Sequence, residues 1–116
     1  MKLSNIKSFF EGSLTAKNLK ANILEEIEEY KLGSKTEAKN MPVYVTEDIE
    51  LNIVEIELEF LCNAYLEDEL EEIELNYLAD ALLLSNRVTF ENESIADRTG
   101  YLTDPEINGH LTKSIV

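Results

Sequence analysis

The apolar residues of this chain fall first at helical spacing. Leu3, Ile6, Phe9 and Phe10 lie three or four positions apart and Gly12 follows as a stop, which predicts a short helix over about residues 3–11. From Thr15 onward, Ala16, Leu19, Ile23, Ile27 and Tyr30 draw a single apolar stripe up to Gly33, the mark of one amphipathic helix. Glu25, Glu28 and Glu29 lie off that stripe, with Glu26 at its edge, as a solvated face would. Residues 33–45 break the pattern with Gly33, Asn40 and Pro42 and read as a loop. Within it, Val43-Tyr44-Val45 fits a brief strand or a hydrophobic plug.

Segment 47–66 supports two patterns. Glu55 to Phe60 alternates as a strand does, whereas the longer window fits a helix with Thr46 as N-cap and with Glu47 and Asp48 favoured by the dipole. The helix is preferred for its length. It carries two apolar stripes, Ile49, Ile53, Ile56 and Phe60 on one side and Leu51, Val54, Leu58, Leu61 and Tyr65 on the other, implying two packing partners. A strand would need its phase to slip between Ile53 and Val54. After Glu67-Asp68 a second two-striped helix runs through Leu84, with Glu69, Glu72, Asn76 and Leu83 on its outward strip. Val88-Thr89-Phe90 leads to a weaker helical pattern through Ile95 and Leu102, and Asp104-Pro105 resembles another helix start. The expected fold class is therefore all-α, a single-domain bundle of four to five helices over residues 1–116. Helices 47–66 and 68–84 form its central antiparallel pair, and loop 33–45 separates them from the N-terminal helices.

Charge adds what periodicity cannot. The chain has 24 acidic and 10 basic residues, a net charge of −14, and a 44% apolar share that argues for a folded chain. Residues 1–40 are nearly neutral, with seven Lys and six Glu, whereas Glu47 to Asp80 holds thirteen acidic residues and no Lys or Arg. Polyanions are gripped by clustered Lys and Arg, so direct binding to nucleic acid or an anionic membrane is disfavoured and a basic partner is the natural complement. The lone Cys62, the lack of an apolar leader after Lys2 and Lys7, and the absence of any long apolar run point to a cytoplasmic protein.

Candidate chemistry is sparse. The single histidine, His110, sits in a polar tail, and Cys62 lies among carboxylates that suppress its thiolate. The Glu-x-x-His pair of di-iron bundles is missing, residues 103–109 lack the ligand pattern of a calcium loop, and no phosphate-binding glycine loop occurs. No enzyme activity, metal or cofactor is expected. A rigid acidic surface can instead fill the basic cleft of a nuclease, with electrostatic steering to speed capture. Glu55, Glu59, Glu69 and Glu72 are the first candidates for toxin binding, exposed on adjoining helices, and Glu25, Glu28 and Glu29 form the alternative surface.

Segment 75–112 carries Leu75-Asn76-Tyr77-Leu78-Ala79-Asp80-Ala81-Leu82-Leu83-Leu84-Ser85, then Phe90-Glu91, then Leu102-Thr103-Asp104-Pro105-Glu106-Ile107-Asn108-Gly109. In texture it resembles small bacterial immunity proteins of contact-dependent growth inhibition and related polymorphic toxin systems, over about a third of the chain. The resemblance implies a cytoplasmic protein that binds a cognate toxin domain, often a nuclease and here a ribonuclease by preference, and blocks its active site or an adjacent surface. It assigns no contact residues. An acidic nucleic-acid mimic, and a scaffold or oligomerisation module without a toxin partner, are the alternatives.

Overall fold

A computed structural model describes residues 1–34 and 43–103. The first helix, α1 (Leu3–Phe10), buries Leu3, Ile6 and Phe9 and ends at Gly12, whose φ of +80° is strained for any residue with a Cβ. The single N-terminal stripe is carried by two helices, α2 (Ala16–Asn22) and α3 (Leu24–Ser34), with Ile23 out of helical geometry between them. Leu19, Ile23, Ile27 and Tyr30 are all buried, so the stripe runs across the break and periodicity could not reveal it. Thr15 caps α2, its hydroxyl accepting from the Asn18 backbone N–H at 3.2 Å.

The expected helix over 47–66 is corrected at its first half. Thr46 caps nothing; its N–H donates to Met1 O at 2.7 Å and its carbonyl accepts from Leu3 N at 3.1 Å, a parallel bridge beside Lys2. From Val43 to Ile53 burial alternates strictly, odd positions inward and even positions outward. This extended run ends in strand β1 (Leu51–Ile53), and helix α4 (Glu55–Leu66) begins after Val54. A five-residue connection containing Asp68 in the left-handed region (φ 64°) brings helix α5 (Glu72–Leu84) against α4. An unanticipated capping box starts α5: the Glu74 carboxylate accepts from the Glu71 N–H at 2.8 Å, and the Glu71 side chain caps in return. Strand β2 (Val88–Phe90) then pairs parallel to β1, Leu51 opposite Val88 and Ile53 opposite Phe90, with α4 and α5 in the crossover. Helix α6 (Glu93–Gly100), capped by the Asn92 side chain, packs over α4, α5 and β2. The expected helix start at Asp104-Pro105 lies outside the described residues.

The protein is therefore mainly helical, with six helices and a two-stranded parallel sheet among the described residues rather than a pure bundle of four to five helices. Helix α5 is its centre: Leu75, Tyr77, Leu78, Ala79, Ala81 and Leu82 are fully enclosed, and α3, α4 and α6 pack around it. Asn76, expected to face outward, is buried and donates to Leu102 O at 2.6 Å and Thr103 O at 3.1 Å, which anchors the chain after α6. No described helix is long and apolar enough to cross a membrane.

Candidate protein-binding surface

Helix α4 buries Leu58, Leu61 and Ala64. At 100° per residue, the opposite arc holds Glu55, Glu59 and Asn63 on one flank and Ile56 and Phe60 on the other, all exposed. Only one of the two expected apolar stripes is thus a core stripe. Ile53 is enclosed within β1, but Ile56 is 74% exposed and Phe60 36% exposed, which leaves half of the α4 face apolar and half acidic. Large apolar side chains that share a patch with polar ones are the composition of an interaction surface.

Beside this face lies a groove of about 380 Å³ between α1, the outer side of β1 and α4. Phe10, Leu51, Ile56 and Phe60 supply its apolar walls. Phe60 meets Phe9 edge-on at 5.1 Å and 80° and Phe10 at 6.2 Å and 88°, so buried Phe9 holds the exposed ring in place. Glu11, Glu50 and Glu57 place three carboxylates around the groove against one ammonium, Lys7. Among the described residues, Glu57 Oε2 is shut off from solvent and has no hydrogen-bond partner. An enclosed acceptor left without a partner costs about 1–3 kcal/mol, more when charged.

The four carboxylates first nominated from the wheel do not form one patch. Glu55 is held by a two-pronged contact with Arg98 Nη1 of α6, at 2.7 and 2.8 Å, which also raises the Arg98 pKa. Glu59 lies one turn further along the same exposed flank. Glu69 sits at the other end of α4, where its backbone N–H donates to Ala64 O at 2.8 Å, beside Thr15, Ala16, Lys17 and Lys20 of α2 and its cap. Half-buried Glu72 opens α5 near that same end. Glu25, Glu28 and Glu29 are all exposed on α3, with Lys31 3.8 Å from Glu28, and Glu29 raises the Tyr44 pKa by accepting its phenolic hydrogen bond.

Other acidic groups hold the scaffold. Glu47, at an inward position of the extended run, accepts through Oε1 from Ser85 Oγ (2.6 Å), Asn86 N (2.6 Å) and Arg87 N (3.2 Å). The Ser85 bond leads in lowering its pKa. Asp48 likewise accepts from the Ser4 hydroxyl and backbone N–H, and the hydroxyl bond leads in lowering its pKa. Glu26 accepts from the Met1 amine and from Tyr77 Oη at 2.6 Å, while Tyr77 Oη accepts from Tyr44 N at 3.1 Å. Burial, and then the bond to Glu26, drives the Tyr77 pKa far up. Tyr30 stands edge-on to Tyr77 at 5.1 Å and donates to Asp80. These bonds fasten the 43–48 run to α1, α3 and α5.

The Cys62 thiol is pushed up mainly by burial, with Glu55 and Glu59 adding to the effect and Arg98 opposing it; the neighbouring carboxylates act in the expected direction but are not the leading cause. Among the described residues no three His, Cys, Asp or Glu converge to hold a metal, and His110 lies outside them. Ile56 and Phe60 are the surface residues that periodicity placed against a packing partner. The readable signal was the second stripe on α4, which has Ile56 and Phe60 at helical spacing; Phe9 and Phe10 of α1 meet Phe60 edge-on without covering it, and Ile56 stays 74% exposed. No protein-family model, curated protein or solved structure matches this chain.

Proposed function

We propose that this protein is an immunity protein that binds a basic toxin domain, a nuclease, and neutralises it by non-catalytic occlusion of its active site or substrate cleft. The observation that carries the reading is the half-apolar, half-acidic face of α4 beside a carboxylate-lined groove. Apolar anchors supply affinity in protein interfaces, and carboxylates select and steer a cationic partner. The acidic half of the sequence supports the same reading, as a net charge of −14 repels nucleic acid and a second copy of the chain alike. A scaffold role would draw on the exposed apolar residues but leaves that charge unexplained.

The test is co-expression with the product of the adjacent reading frame. The reading expects that product to be toxic alone, harmless beside this protein, and recovered in a 1:1 complex whose association slows as salt rises. A non-toxic neighbour, or toxicity that persists beside this protein, refutes it.

A further inference from the structure

We infer that the groove between α1 and α4 receives an arginine side chain from the basic partner, an inference that rests on the binding role proposed above. Three independent features of the groove select that chemistry. Its walls are aromatic and aliphatic, Phe10, Phe60 and Ile56, so an occupant must offer a weakly hydrated, stackable surface. Its charge is negative, with Glu11, Glu50 and Glu57 outnumbering Lys7. One of its lining carboxylates, Glu57, has an oxygen, Oε2, with no hydrogen-bond partner among the described residues.

A guanidinium meets all three conditions. It is planar and stacks on an aromatic ring, it is less strongly hydrated than an ammonium, and its fork of donors can serve two of the lining carboxylates together. A lysine ammonium satisfies the charge but gives up hydration to enter an apolar slot. A second copy of this chain is disfavoured by repulsion between two molecules of charge −14. Glu50 is not fully committed elsewhere, as its contact with Arg87 is 3.7 Å long with both side chains exposed.

The experiment is a titration of the ¹⁵N-labelled protein with N-acetyl-arginine amide, N-acetyl-lysine amide and N-acetyl-norleucine amide, followed by two-dimensional NMR. The inference expects arginine to shift Lys7, Phe10, Glu50, Asn52, Glu57 and Phe60 selectively and to bind at least about threefold more tightly than either competitor. Glu57→Gln should remove the arginine preference. Ile56→Asp, a change at an exposed position, should weaken binding while the remaining spectrum stays that of the folded protein. Equal arginine and lysine shifts spread over Glu25, Glu28 and Glu29 as well, or a preference that survives Glu57→Gln, would overturn the groove assignment. The toxin reading would stand in that case, because a complex could still form on another face. Selective arginine capture by a protein that forms no toxin complex would uphold the groove and sink the toxin reading alone.

Discussion

Single side chains divide this molecule's carboxylates into those that hold the fold and those that face solvent. Glu47 and Asp48 belong to the first kind. Their pKa values lie below the ordinary range, so the stability they add is complete above about pH 4.5 and is lost as pH falls through their lowered values. Glu47→Gln should therefore melt lower than the parent at pH 7, the gap closing below about pH 4, in paired melts across pH. Tyr77 has the opposite sign. Its raised pKa means that the stability it supplies is intact below about pH 10 and declines as pH rises beyond that. Tyr77→Phe leaves the Tyr44 N–H and the Glu26 carboxylate short of a partner and should cost about 1–3 kcal/mol in a denaturant titration at neutral pH. Glu57→Gln should leave Tm unchanged or raise it, because the charge it removes has an oxygen with no partner among the described residues.

The elements show why some of this was legible and some was not. Helices α1, α5 and α6 follow from apolar spacing, and the break at Gly12 is where Gly predicts it. The extended run was also written in the sequence: Val43, Val45, Ile49, Leu51 and Ile53 alternate with Tyr44, Thr46, Asp48, Glu50 and Asn52. Glu47 hid it, standing at an inward position where a polar group is tolerable only because Ser85, Asn86 and Arg87 satisfy it from far along the chain. The phase slip at Ile53–Val54 that argued against a strand is the junction at which strand turns to helix. Strand β2 had no independent signal, as three residues carry too little periodicity to be read without their partner. The site was legible as acidic and helical but not as a groove, because whether Ile56 and Phe60 are covered depends on what packs there. Backbone ¹³C shifts should report strand geometry for residues 51–53 and helix from Glu55 onward; helical shifts through residues 47–53 would contradict the fold. Ile53→Ala should cost about 2–5 kcal/mol, against about 0.5–1.5 for exposed Asn52→Ala, which loses the bond it accepts from Thr89 Oγ1 at 2.9 Å. Gly12→Ala should cost about 1–2 kcal/mol through its positive φ alone, as the space around it is open.

At the scale of the whole molecule, one continuous core tolerates a surface that repels itself. Aromatic and aliphatic side chains from Met1 to Leu102 join in a single cluster, and the excess acid is left on its exterior. Raising ionic strength from about 0.01 to 0.15 M shortens the screening length from about 30 to 8 Å and should raise Tm. A Tm that falls with salt would mean that attractive ion pairs such as Glu55–Arg98 dominate instead. The same screening should slow capture of a cationic partner, so stability and association rate are expected to move in opposite directions with salt. The central claim is that a basic toxin is bound through the α4 face and its groove. The most direct measurement is the affinity of the adjacent gene product for three forms of this protein: the parent, Ile56→Asp with Glu57→Gln, and Glu25→Lys with Glu28→Lys and Glu29→Lys. The groove pair should weaken the complex at least about tenfold, or 1.4 kcal/mol, while the α3 triple change leaves it within about threefold. Full affinity in the groove pair with loss in the α3 variant would contradict the account.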